Sequence, residues 1–318
     1  MESRLISSED TCCVVVNWRA AAETAECLSA LFASDSAPGR AVVVDNGSGD
    51  GSAEILRARI AEPDLAGRVL LVESPENGGF AKGCNLGIAK VREAFPGTAR
   101  AWWLLNDDAR PEPGALAALL RALDAEGADF AGSRVVAFDD PSREISAGGW
   151  IDARTGASSP RPSGHPRRAD YLDGASLLFT ERAALALGPI PEDYFLYFEE
   201  TDYCFRAREA GFVLAVAEDS AVRHRVGAST GSGLGKGKVP EFADCLQAAN
   251  RVRFARRRLR RPFWAFAGLC GSVVLRALRG QWRRCAILAR IALSERAFGR
   301  FVDERRGIPA VDRGQREG

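Results

Sequence analysis

The sequence predicts an α/β protein with a mostly parallel central sheet and helices on both faces. Three observations predict it. Short β-branched runs alternate with amphipathic stretches of crossover length. The first four runs each stop at polar residues: Asn17, Asp45-Asn46, Glu73 with Asn77, and Asn106-Asp107-Asp108. The chain has 318 residues, 46% hydrophobic and 27% charged. That is an ordinary globular composition, with length for one large or two small domains.

Cys12 to Val16 reads as a buried strand ended by Asn17-Trp18, and Ala22 to Phe32 as a helix. Ala41 to Val44 is a second strand, Ser52 to Ile60 a helix and Val69 to Val72 a third strand. Gly78-Gly79 opens a turn into a helix that runs through Phe95. Ala101 to Leu105 is the fourth strand and Pro113 to Ala125 a further helix. Residues 130–170 read as short strands and loops, followed by an apolar run from Ser176 to Phe179. Phe195 to Ala210 has the length of a helix, with acids in its first turn. Residues 227–238 hold five Gly in twelve positions, as a lid or a plain linker would. No internal repeat is evident.

From 241 onward the chain reads as helical and basic. The division expected is therefore residues 1–240 as a catalytic domain and 241–318 as a basic helical C-terminal extension. Net charge is +1, but residues 251–318 contain 18 Arg, no Lys and five acids. Such a tail suits an anionic surface. Phe263 to Leu275 is apolar for thirteen residues, against the roughly 20 that a bilayer span needs. It reads either as a segment lying on a membrane surface or as a core helix with a solvated Arg face.

None of the eight Cys forms a C-x-x-C pair, so zinc and thioredoxin-like chemistry have little support. Met1 to Thr11 is polar and lacks the apolar core of a secretory signal. A reduced, cytoplasmic protein is expected.

Parallel strands put their polar ends on one rim, in the crevice where open α/β sheets bind ligands. An acid there accepts from a base N–H or a ribose hydroxyl, and amides bond both ways. The run Leu104-Leu105-Asn106-Asp107-Asp108 offers oxygens to a hard cation and its phosphates, although Asn and Asp are also ordinary turn residues. G-x-G-x-x-G and the P-loop pattern are both missing, which argues against a dinucleotide fold and a P-loop phosphate site. Glu199, Glu200 and Asp202 lie within four positions. As helix neighbours, Glu199 and Asp202 share a face while Glu200 points roughly 100° away from Glu199. Spacing leaves open which of them acts as a base, and acids also decorate helix N-termini for electrostatic reasons.

Several segments together resemble family-two glycosyltransferases of the GT-A fold, in their rhamnosyltransferase-like branch. Val42-Val43-Val44-Asp45-Asn46-Gly47-Ser48-Gly49-Asp50-Gly51-Ser52 is similar to the nucleotide-binding signature. Glu76-Asn77-Gly78-Gly79-Phe80-Ala81-Lys82-Gly83-Cys84-Asn85-Leu86-Gly87-Ile88 resembles the second motif, and Asn106-Asp107-Asp108 that branch's D-x-D. Tyr171-Leu172-Asp173-Gly174-Ala175 resembles the segment before the acceptor site, and Tyr197-Phe198-Glu199-Glu200-Thr201-Asp202 the E-[DE]-x-D region. His224, Gly227 and Ser229 resemble the closing H-x-x-G-x-S, and Asn250-Arg251 a looser feature of the tail. The motifs keep the family's order over about residues 12–230.

The resemblance implies an inverting transferase that moves a sugar, rhamnose among the candidates, from a dTDP- or UDP-sugar to a glycan or lipid-linked saccharide. It implies that Asp45, Asn17 and Asn85 line the nucleotide pocket. Asp108 would hold Mg²⁺ or Mn²⁺ on the diphosphate, with Asn106 and Asp107 beside it. His224 would be a second metal ligand or a diphosphate contact. Glu200 would be the general base, with Asp173, Gly174, Glu199 and Asp202 on the acceptor side. The chain departs from many relatives in having Asn at 106 and Glu at 200. A non-catalytic nucleotide-sugar-binding scaffold of the same fold is the main alternative. A nucleotidylyltransferase lacks its Gly-rich basic loop here, and nucleic acid is not an expected partner. The Arg-rich tail would bring the enzyme to anionic lipid at the inner face of the membrane.

Overall fold

The computed structural model describes residues 5–225, 240–259 and 263–306. Thr11–Asn17 (β1), Arg40–Asp45 (β2), Val69–Glu73 (β3) and Ala101–Asn106 (β4) are the strands that the β-branched runs predict. They alternate with Ala21–Phe32 (α1), Ser52–Ile60 (α2) and Phe80–Ala94 (α3). Ala109–Pro111 (β5) and Ala115–Glu126 (α4) follow. Next come Phe130–Ala137 (β6), Glu144–Ser146 (β7), Gly149–Ile151 (β8), Ser158–Pro160 (β9) and Ser176–Thr180 (β10). Glu181–Leu187 (α5), Glu199–Glu209 (α6) and Leu214–His224 (β11) close the α/β part.

Nine of these strands form one sheet in the order β3-β2-β1-β4-β10-β6-β11-β5, with β7 paired to β6. β5, β7 and β10 run against the rest, so the sheet is mostly parallel. β8 and β9 form a separate hairpin. This is the GT-A arrangement, an α/β sheet layered between helices.

Side chains alternate between the two faces of a strand, and both faces here are covered. Val14, Val16, Trp102 and Leu104 enter the core beneath α3, α5 and α6, with Cys84, Ile88 and Tyr203. Cys13, Val15, Trp103 and Leu105 enter the opposite core beneath α1 and α4, with Leu28 and Leu119. Each such buried aliphatic side chain contributes roughly 1.5–3 kcal/mol. The glycines of the second motif have a packing reason. A Cβ at Gly83 would stand 2.7 Å from Val16 Cγ1, and one at Gly87 3.0 Å from Val44 Cγ2. α3 therefore lies directly on β1 and β2.

Three features differ from the sequence expectation. β11 is hard to see in sequence because its register shifts between Ala217 and Ala221, which breaks the apolar period. α5 is only seven residues long, although Thr180 caps it by accepting from the Ala183 N–H. The helix expected from Phe195 starts instead at Glu199, because Phe195, Tyr197 and Phe198 all have positive φ.

Four helices complete the described chain: Glu241–Arg258 (α7), Phe263–Leu278 (α8), Trp282–Ile291 (α9) and Glu295–Arg306 (α10). They share a core formed by Leu246, Ala249, Val252, Leu269, Leu288 and Phe298, into which Phe195 also packs. Among the described residues no helix is long and apolar enough to cross a membrane. Gly227, Ser229 and the rest of the Gly-rich stretch 227–238 lie outside the described residues.

Candidate active site

The sheet register aligns the strand ends. Asn17 lies opposite Asp45, Asp45 opposite Glu73, and Val16 opposite Asn106. Asn17 is fully buried and braces the rim. Its Nδ2 donates to Asp45 Oδ1 at 2.7 Å and Ser48 Oγ at 3.2 Å, and its Oδ1 accepts from Thr24 Oγ1 at 3.0 Å. The Ser48 hydroxyl also donates to Asp45 Oδ1, at 2.5 Å. Asn46 Nδ2 donates to Asn77 Oδ1 and to the Gly79 carbonyl, both at 3.1 Å. That links the β2 end to the turn before α3. Asn85 fastens a loop: its Nδ2 donates to the Ile190 carbonyl at 2.9 Å and its Oδ1 accepts from the Ile190 N–H at 3.0 Å.

A cleft of about 250 Å³ opens beside this rim. Asn106, Asp107, Asp173, Gly174, Glu199, Glu200 and His224 all line it. Asn17, Asp45, Asn85, Asp108 and Asp202 are not among its lining residues.

His224 ends β11, which pairs with β5 so that His224 faces Ala109 across the ladder. Its Nε2 lies 2.9 Å from Asp108 Oδ1 and 3.1 Å from Asn106 Nδ2. Thus Asp108 reaches the cleft edge through the imidazole. Burial opposes charge on the ring, but the hydrogen bond and charge of Asp108 outweigh it, and the His224 pKa is raised. Burial, then the charges of Asp108 and Glu23, push the Asp107 carboxyl up to about 8. Among the described residues no group of three His, Cys, Asp or Glu is arranged to hold a metal ion.

The wall bearing Glu199 and Glu200 is built differently. Its loop is held in left-handed backbone at Phe195, Tyr197 and Phe198, a conformation that costs bulky residues free energy and persists only when neighbours enforce it. The Asn250 Nδ2 group on α7 donates to the carbonyls of Tyr194 and Leu196 at 2.9 Å and of Tyr197 at 3.1 Å. The Phe195 carbonyl accepts from Phe80 N–H at 2.9 Å. Gly79 permits that approach, since a Cβ there would lie 2.3 Å from the Phe195 oxygen. Asp202 anchors the same wall. It accepts from Arg258 Nε at 2.6 Å and from Tyr194 OH at 2.7 Å.

Because α6 begins directly after left-handed Phe198, Glu199 and Glu200 both line the cleft despite their helical offset. Burial, with the Glu200 charge adding, raises the Glu199 carboxyl well above its usual range, and its Oε2 is buried without a hydrogen-bond partner. Burial pushes Glu200 up to about 7, and the Asp173 charge adds to this. A carboxylate that titrates near neutral pH is suited to taking a proton. Asp173 is fixed by Ser146 Oγ at 2.7 Å and the Ala175 N–H at 2.9 Å.

Residues 12–178, more than half of the chain, match the family described as Glycosyl transferase family 2. The chain belongs to that family.

Three solved structures share the fold. A mannosyltransferase, PcManGT from Pyrobaculum calidifontis in complex with GDP-Man and Mn²⁺, is 18% identical with a TM-score of 0.56, over 93% of this chain and 84% of that one. GalNAc-T7 with UDP, GalNAc and Mn²⁺ is 14% identical with a TM-score of 0.58, over 77% and 48%. TarS 1-349 of S. aureus in complex with UDP-GlcNAc is 14% identical with a TM-score of 0.51, over 77% and 66%. No curated protein matches the chain in sequence.

Several residues of this glycosyltransferase's cleft escaped sequence reasoning. Trp18, Phe80, Phe195, Leu196, Tyr197 and Phe242 also line it. The aromatic-rich run Tyr194 to Phe198, directly before the paired acids, is a readable signal for three of these lining residues, Phe195, Leu196 and Tyr197. Phe242 carries none, since only the docking of α7 brings it to the cleft.

Proposed function

We propose that this family-two transferase is an inverting enzyme that moves a sugar from a nucleotide-diphospho-sugar to an acceptor hydroxyl. Glu200 is the general base. It takes the acceptor proton as that oxygen bonds to the anomeric carbon, while the bond from that carbon to the diphosphate oxygen breaks and its electron pair leaves with the diphosphate. The observation that carries the reading is that Glu200, titrating near 7, lines the same cleft as Asn106, Asp107 and His224.

Asp45, braced by Asn17, receives the base or ribose in this reading, with Asn46 and Asn77 beside it. Asp108 and His224 are the candidate ligands of Mg²⁺ or Mn²⁺. The donor set fits such an ion, because magnesium in phosphoryl sites takes one or two protein groups and completes its shell with substrate phosphates and water. Imidazole suits manganese better than magnesium. When bound, the ion would neutralise charge growing on the departing diphosphate. The Mn²⁺ bound to PcManGT and GalNAc-T7, and the GDP-Man and UDP-GlcNAc bound to PcManGT and TarS, support the same assignment.

The donor is proposed to be a dTDP- or UDP-sugar, with rhamnose as one candidate, and the acceptor a glycan or lipid-linked saccharide. Residues 1–240 carry the chemistry in this reading, and 241–318 complete the acceptor side and approach anionic lipid at the cytoplasmic face. The apolar exposure of α8 and α9 supports the lipid contact: Phe263 is 68% exposed, Leu278 81% and Trp282 69%.

The deciding experiment is a thermal-shift screen of UDP-, GDP- and dTDP-sugars with Mn²⁺ and with EDTA. Metal-dependent stabilisation by one nucleotide class is expected. A flat response from well-folded protein would overturn the donor assignment.

A further inference from the structure

A second cavity, of about 340 Å³, lies on the other side of Glu200. Glu200 and Tyr197 line both cavities. The far wall comes from the C-terminal helices: Asp244, Gln247 and Arg251 on α7, and Ser272 and Arg276 on α8. Ser158 and Tyr171 close the side next to the β8–β9 hairpin.

The cavity is lined by two carboxylates, Glu200 and Asp244, and two guanidiniums, Arg251 and Arg276, but they are not paired one to one. Asp244 is already shared between Arg276 and Arg284. Three other arginines on α7 have acid partners, Arg253 with Glu295, Arg257 with Asp193 and Arg258 with Asp202, while Arg256 is exposed to solvent. Arg251 has no ion pair among the described residues, and its Nε is buried without a hydrogen-bond partner. Burial and the nearby Arg276 charge both disfavour the Arg251 cation, yet a guanidinium stays protonated in proteins. Its side chain passes close to Gly156 and Gly268. A Cβ at Gly156 would lie 3.4 Å from its Cγ, and one at Gly268 3.4 Å from its Nη2. A half-buried guanidinium that lines a cavity without an ion pair is costly unless an anion completes it.

We propose that this cavity is the acceptor subsite and that Arg251 binds a phosphate group carried by the acceptor, Arg276 remaining on Asp244 as part of the wall. This rests on the transferase reading above and deepens it. The guanidinium fork matches phosphate geometry. Glu200, on the wall common to both cavities, then meets the acceptor hydroxyl on one side and the donor sugar on the other. Two sources of acceptor share this chemistry: a sugar phosphate in solution and a sugar joined to a lipid through phosphate.

The test is calorimetric titration of the full chain, with Mn²⁺ and the most stabilising nucleoside diphosphate filling the first cleft. The probes are glucose 1-phosphate and farnesyl phosphate, with methyl glucoside and farnesol as uncharged controls. Both Arg251→Gln and Gln247→Glu are expected to weaken phosphate binding at least tenfold, and the uncharged compounds are expected not to bind. Gln247 is exposed on α7, so its variant keeps the test decisive if Arg251→Gln fails to fold. Binding of both phosphates supports the proposal with a soluble acceptor. Binding of farnesyl phosphate alone supports it with a lipid-linked one. Absence of phosphate binding, or binding that neither substitution changes, overturns it. A chain that binds no nucleotide but loses phosphate binding on substitution would instead refute the donor assignment and leave the anion site standing.

Discussion

The two sides of the cleft are held by different forces. The rim at the ends of β1, β2 and β4 is built by main-chain pairing, and its polar residues arrive in register because the strands do. The side-chain braces there join neighbouring strand ends and turns, such as Asn17 to Asp45 and Asn46 to Asn77, which the strand pairing already brings together. The wall carrying Glu199 and Glu200 follows a loop in unfavourable backbone, and residues about fifty positions later in the chain hold it: Asn250 at its carbonyls and Arg258 at Asp202. A sheet edge tolerates local change because many hydrogen bonds share the load. The acid wall depends on a few side chains, so it can fail while the rim survives.

The sharpest separation should come from Glu200→Gln. Loss of the base is expected to cut kcat by roughly 10²–10⁴-fold, while nucleotide-induced stabilisation is retained. Equal kcat in steady-state assays would remove Glu200 from the mechanism. Asn250→Ala comes next, because three loop carbonyls lose one donor group. Leaving buried groups unsatisfied costs about 1–3 kcal/mol. Denaturant unfolding should show that loss, and kcat should fall further than nucleotide affinity does. If both fall together, the two sides are one mechanical unit.

A smaller effect is expected from pH. Glu200 must be ionised to act, so kcat/KM should rise with pH through a midpoint near the value of about 7. Asp173→Asn should move that midpoint down, because the Asp173 charge raises it. Stability should move the other way. The folded-state pKa of Glu200 lies above that of the free chain, so the folded state holds more protons between the two values. Its contribution is greatest below that window and declines as pH rises through about 7. Thermal melts across pH 5–8, on the order of the window the two pKa values define, would test the sign. The least effect belongs to Lys82→Ala on the exposed start of α3. The Lys82–Glu76 pair is 46% and 53% exposed, and such pairs contribute about 0–1 kcal/mol. A large loss of nucleotide binding there would extend the site onto α3.

The sequence by itself determined the layered sheet and the chemistry at its rim. β-branched runs and crossover-length helices are local patterns, and a polar residue that ends a parallel strand can lie on only one edge. Asn106 and Asp107 were legible for that reason, Glu199, Glu200 and His224 through the clustered acids and the family resemblance, and the structure gathers all of them around one cleft. Other matters needed the fold. Asn17 and Asn85 read as ligand contacts, but neither lines the cleft: buried Asn17 bonds to Asp45 and Ser48, and partly exposed Asn85 bonds to the Ile190 backbone. Asp202 reads as a neighbour of the paired acids, yet its ion pair with Arg258 turns it to the scaffold. The start of α6 is displaced by backbone that Asn250 enforces from far along the chain. Contacts between residues so distant leave no periodic trace in a sequence. Only packing α7 against the sheet domain decided which acids face the cleft, and with it the second cavity beyond Glu200.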